Sequence, residues 1–191
     1  MLAGLLLAAA MAVTPIQEDA CQDTTKAVEL ALPLIKQHEG LAKCVDKACT
    51  RVRAYPDPGV GSKLPTIGWG TTSLAPGLPR GLRLTMSAVI PIEEADELLR
   101  GTVSSVANQV CRAVYPAKPT RHELAALIDF AYNLGVGTLI KSRLLVKLRN
   151  GDIEGAAHCF MNYVYAGHPK HVFIGLVRRR EAEMHVFLTE D

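Results

Sequence analysis

Residues 35–72 read IKQHEGLAKCVDKACTRVRAYPDPGVGSKLPTIGWGTT, and the reading of this stretch decides the fold. Upstream of it, Val28, Ala31, Leu32 and Ile35 recur at helical spacing, so the periodicity predicts a helix over residues 25–38. Glu39 continues that series one turn after Ile35, on or beside the buried stripe, and Gly40 stops the helix. Pro33 lacks an N–H and clashes with the preceding turn, which predicts a kink or a later helix start. Residues 51–72 are dense in Gly and Pro and carry short β-like runs, a pattern that reads as a small hairpin or meander.

Beyond residue 72 the pattern is helical throughout. Residues 91–110 place Pro91 in the first turn, with acids after it and an apolar series from Ala95 to Val110. Thr120 and Glu123 stand at capping-box spacing before a helix that ends at Gly135. Two short helices flank Asn150 and Gly151, with Asp152 as an N-cap, and residues 175–188 close the chain. A small β element after the first helix of a helical bundle is an α+β architecture.

At 191 residues the chain is one domain with an appendage, with residues 1–23 separate from a folded domain over 24–191. Residues 1–13 are uncharged and apolar but shorter than the ~20 residues of a membrane span. They resemble a signal-peptide core, with Ala10, Met11 and Ala12 in small-x-small form, and residues 14–23 read as a polar linker. Export or transient inner-membrane tethering is expected, with a buried N-terminal helix as the other reading. A net charge of +2 excludes a strongly basic nucleic-acid binder, yet permits mild attraction to an anionic polymer.

Glu39 faces the negative end of its helix dipole and is partly buried; both effects favour the protonated form that a general acid requires. Taken singly, Asp57 is a turn aspartate and Thr66 a strand residue. Taken together, a helix-end acid, a loop carboxylate and a hydroxyl form an arrangement suited to glycoside hydrolysis. Five phrases, IKQHEGL, AYPDPGVGSKLPTIGWGTT, DFAYNLGVGTL, LLVKLRNGD and GLVRRREAE, occur in the order seen in phage-type lysozymes, glycoside hydrolase family 24, which they resemble. The resemblance covers most of the chain from about residue 30 onward.

It implies a lysozyme-like α+β fold and hydrolysis of the β-1,4 bond between N-acetylmuramic acid and N-acetylglucosamine in peptidoglycan. Carried over by motif, Glu39 is the proton donor, Asp57 activates water or stabilises the oxocarbenium-like transition state, and Thr66 positions that water. The T4 type inverts configuration, which needs carboxyls ~6.5–9.5 Å apart. The family's common spacing puts about eight residues between the Glu and the Asp, where this chain has seventeen. The surplus lies around residues 43–52, and Asp46 inside it competes with Asp57. The enzyme is expected to work as a monomer without a cofactor. A lytic transglycosylase on a similar fold and a non-catalytic wall-binding module are the alternatives.

Trp69 and Tyr132 are candidates for a sugar subsite, with core packing the other reading. Cys44 and Cys49 with His38 make poor zinc spacing, so no metal is expected, and a local disulfide is the better reading. Cys111 and Cys159 are candidates for a second disulfide, leaving Cys21 as the odd thiol, free to exchange with the first pair. His168 and His171 read as an exposed loop, His122 and His185 as helix surface. The run Arg178, Arg179, Arg180 reads as a solvated helix face that could meet anionic polymer.

Overall fold

The computed structural model describes residue 21, residues 24–57 and residues 64–190. The expected export segment and linker lie outside the described residues, apart from Cys21. Helix α1 (Thr24–Glu39) buries Ala27, Val28, Ala31, Leu32, Leu34 and Ile35, the stripe that the spacing called for. It runs through Pro33 without a break. Pro33 and Glu29 are both exposed, so the carbonyl deprived of its partner, that of Glu29, is on the solvent side.

Three small antiparallel sheets follow. Strand β1 (Arg51–Arg53) pairs with β5 (Val89–Pro91), Val52 opposite Ile90. Strands β2 (Tyr55–Pro56), β3 (Pro65–Ile67) and β4 (Thr71–Thr72) form the expected meander, Tyr55 opposite Thr66 and Ile67 opposite Thr71. Gly68 and Gly70 take the three-residue turn at φ 60° and 85°, a region open to glycine at no steric cost. The chain is not helical throughout beyond residue 72. Pro91 ends β5 instead of opening a helix, because Val89 and Ile90 complete a ladder with β1 from 38 residues upstream. A hairpin of β6 (Tyr165–Ala166) and β7 (His171–Val172) also precedes the last helix, and His168 and His171 are exposed on it as expected.

Helix α2 (Ile92–Val114) spans 23 residues and buries Leu98, Leu99, Val103, Val106 and Val110. Helix α3 (Arg121–Leu134) starts with the expected capping box: Glu123 N–H donates to Thr120 Oγ1, and Thr120 N–H donates to Glu123. It is the buried centre of the bundle, packed on α1, α2 and α7 (Ile174–Phe187). Helices α4 (Val136–Ile140), α5 (Arg143–Arg149) and α6 (Ile153–His158) close the side, α6 capped by Asp152 through Gly155 N–H at 2.9 Å. Beneath them Phe130 meets Phe160 and Tyr163 edge-on at 5.5 and 4.9 Å. The fold is α+β and mostly helical.

Cys44 and Cys49 form the expected local disulfide. The second pair is Cys21–Cys111, not Cys111–Cys159; Cys159 is a buried free thiol. Cys21 is held at the start of α1, where Thr24 Oγ1 donates to its carbonyl, and that brings it to α2. None of the helices among the described residues is long and apolar enough to cross a membrane.

Candidate active site

Glu39 is the last residue of α1, and Gly40 at φ 67° turns the chain away from it. Its side chain is 24% exposed. Arg179 Nη1 donates to Glu39 Oε1 at 2.6 Å. The other edge of the same guanidinium grips Asp129, through Nε at 3.1 Å and Nη2 at 2.7 Å. Arg179 is 4% exposed and Asp129 fully buried, so the planar fork is locked between two carboxylates. The guanidinium fixes the Glu39 carboxyl at the end of α1, a contact that the sequence did not announce.

A second layer backs this contact. Arg180 Nη2 donates to Glu183 Oε1, and to Asn133 Oδ1 at 3.0 Å; Glu183 also lies 3.6 Å from Arg179 Nε. Burial pushes the Glu183 carboxyl well above the usual carboxylate range, helped by its hydrogen bond to Asp129 and that group's charge, against the pull of Arg180 and Arg179. Burial lowers Arg179, yet Asp129 and Glu39 outweigh it and hold the guanidinium above its ordinary value. His38, next to Glu39, is depressed by burial, with Asp129 opposing. The expected solvated face of Arg178–Arg180 is therefore corrected. Only Arg178 is exposed; its two neighbours point into the bundle because α7 packs that side on α3.

The meander approaches Glu39 from the other side. A Cβ at Gly70 would stand 3.2 Å from Glu39 Oε2 and 3.8 Å from the Tyr132 hydroxyl, so the absent side chain is what permits the approach. Tyr132 donates to the Trp69 carbonyl at 2.9 Å, tying α3 to this turn. Burial, then the Glu39 charge, pushes the Tyr132 phenol upward, which keeps it a donor. Thr66 Oγ1 lies 3.5 Å from Asp57 Oδ2, at the outer limit of a direct hydrogen bond. The pairing of β2 with β3 brings them together, with Asp57 N–H donating to the Leu64 carbonyl at 3.0 Å. Thr66 is buried and Asp57 half-exposed, at the edge of the meander.

Asp46 accepts from Thr50 N–H at 3.1 Å and Thr50 Oγ1 at 2.9 Å, and those bonds hold its carboxyl below the usual range. It is an exposed turn residue with both oxygens engaged by Thr50. Trp69 is 8% exposed and packs in the core, with Lys36 Nζ 4.3 Å over its ring, so the structure favours its packing reading. Tyr132 lines a cleft of about 390 Å³ together with Gly70, Thr72, Thr102, Gln109 and Val136. Arg179, Asp129 and Glu183 were missed from sequence. The available signal was an aspartate inside the apolar run of residues 124–131, which needs a buried cation to stay there.

A family model described as phage lysozyme matches residues 36–183. The endolysin of Bacillus phage B103 is 33% identical over 161 residues, covering 84% of this chain and 53% of that protein. The SAR-endolysin of Bacteriophage PS119 is 36% identical over 95 residues, covering 50% of this chain and 55% of that one. The chain thus spans about half the length of these curated relatives. Among solved structures, the muramidase domain of SpmX from Asticaccaulis excentricus superposes with a TM-score of 0.68 at 27% identity, over 84% of this chain and 95% of that one.

Proposed function

The chain belongs to the phage lysozyme family, and on that premise we propose that it is an endolysin-type muramidase cleaving the β-1,4 bond between N-acetylmuramic acid and N-acetylglucosamine. The observation that carries this reading is the approach of the meander to Glu39: Gly70 lies against Glu39 Oε2, Thr66 is on β3 before that turn, and Asp57 follows the end of β2 with Oδ2 3.5 Å from Thr66 Oγ1. Glu39 donates a proton to the glycosidic oxygen. Asp57 activates water or stabilises the developing oxocarbenium charge, and Thr66 orients that water. Arg179 orients Glu39 and, as a permanent cation, takes up the charge left when the proton is given. Tyr132 and the cleft beside it accept the sugars.

The apolar N-terminus delivers the domain across the inner membrane, by cleavage or as a tether, and the enzyme acts on the wall as a monomer. The name of the PS119 relative supports that route. The test is clearing of purified cell walls. Wild type clears them, and Glu39→Gln is slower by about 100- to 10,000-fold, the range of general acid catalysis. Equal clearing by both proteins refutes the assignment. Products with reducing ends support hydrolysis, and 1,6-anhydro ends would make the protein a lytic transglycosylase.

A further inference from the structure

Between Glu39 and Asp57 the chain carries more residues than the family's common spacing, and the structure folds the surplus into a braced hairpin. Residues 43–53 hold four cations and one carboxylate, +3, against +2 for the whole chain, leaving −1 for everything else. These eleven residues therefore carry a local excess of positive charge in a chain that is otherwise close to neutral. The disulfide Cys44–Cys49 closes the turn, and Asp46 bonds across it to Thr50. Cys44 stands opposite Val52, with Val45 N–H donating to the Arg51 carbonyl at 2.9 Å and Arg53 N–H to the Lys43 carbonyl at 3.0 Å.

Directly opposed residues on paired strands share a face. In β1 the alternation puts Arg51 and Arg53 outward on either side of fully buried Val52, and Lys43, opposite Arg53, and Lys47 at the tip are exposed as well. All four are exposed, and none is paired with a carboxylate among the described residues. The single acid of the hairpin is hydrogen-bonded to Thr50 and offsets one of the four cations, which leaves the excess of +3.

We propose that this hairpin is a docking surface for the carboxylate-bearing peptide stems of peptidoglycan, a second contact with the wall outside the cleft. The inference rests on the muramidase reading. The glycan of the substrate is uncharged along its sugar backbone, and its negative charge resides on the stems, complementary to the cationic face. The hairpin is also close to the chemistry. Arg53 is four residues from Asp57, at most about 14 Å of chain, and Ala42 N–H donates to the Gly68 carbonyl in the turn beside Glu39. A membrane surface is the poorer occupant. The hairpin follows the C-terminal end of α1, whose 16 residues place it about 24 Å from the Cys21 end where a tether would enter.

The experiment uses the full chain carrying Glu39→Gln, so that walls stay intact, in sedimentation with three probes: purified walls, walls with amidated carboxylates, and anionic phospholipid vesicles. Neutralisation by Lys43→Gln, Arg51→Gln and Arg53→Gln together is expected to weaken binding to intact walls about tenfold at low ionic strength, from three exposed charge contacts. The difference shrinks at high salt, and amidated walls bind the parent and the triple variant alike. The charge-preserving pair Arg51→Lys and Arg53→Lys retains binding, which separates charge from fold. Equal binding of intact walls by parent and triple variant overturns the proposal, as does undiminished binding of the parent to amidated walls. A loss seen only on vesicles overturns it in favour of lipid. Should the triple variant not fold, the salt series and the amidated walls decide with the parent alone. Reducing-end release by wild type is scored separately: no release removes the muramidase reading, whereas release with charge-independent binding removes this inference only.

Discussion

Glu39 and Asp57 are held by opposite means. Glu39 sits on the helical side, where an arginine buried to 4% exposure clamps it and is itself clamped by a fully buried aspartate. Asp57 sits on the β side, directly after β2, in a meander whose strands are only two and three residues long. One carboxylate is positioned by long-range charge balance in a low-dielectric core, the other by backbone pairing, glycine turns and a nearby disulfide. Damage should therefore travel differently: through stability on the first side, and locally on the second.

The sharpest way to break this comparison is Arg179→Met. It leaves Asp129 buried without its guanidinium and frees Glu39, so urea unfolding should show a loss of about 3–5 kcal/mol. Wall-clearing activity falls with it. Replacing both Cys44 and Cys49 by serine is the corresponding cut on the β side. The disulfide closes a separation of only 5 residues, so its loss should cost about 2 kcal/mol, in a hairpin whose backbone bonds remain. A larger cost on the β side than on the helical side would invert the contrast.

The smallest expected effect is diagnostic by its sign. The Glu183 carboxyl in the fold stands well above its unfolded value. The folded protein thus holds a proton that the unfolded chain releases. That contribution is complete below the ordinary carboxylate range and is lost as pH rises through the raised folded value. Urea midpoints of the wild type should decline with rising pH across that window, and Glu183→Gln should flatten the decline. An unchanged slope would mean that the second layer behind Arg179 carries no titrating proton.

Much of the candidate site's local structure was legible because its signals are local. The helical spacing of Val28, Ala31, Leu32 and Ile35 put Glu39 at a buried helix end, and Thr120 with Glu123 announced the start of α3. The Gly-Pro density of residues 51–72 announced the meander that pairs Tyr55 with Thr66. The errors came where partners are distant. Charge runs are usually solvated, and nothing near Arg179 in sequence reveals Asp129, 50 residues away. Val89 and Ile90 have no strand neighbour nearby, so β5 was read through into a helix. Cys111 was matched with Cys159, while its true partner, Cys21, lies 90 residues upstream.

By itself the sequence determined which residues are capable of chemistry and which local shape each adopts, because periodicity, capping and turn preference act within a few residues of chain. Only the tertiary structure decided what those residues face. Burial makes an ion pair obligatory for Asp129, a missing Cβ lets Gly70 reach Glu39, and strand pairing turns an insertion into an outward cationic face. Each of these depends on contacts between segments far apart in the chain, where no local preference operates.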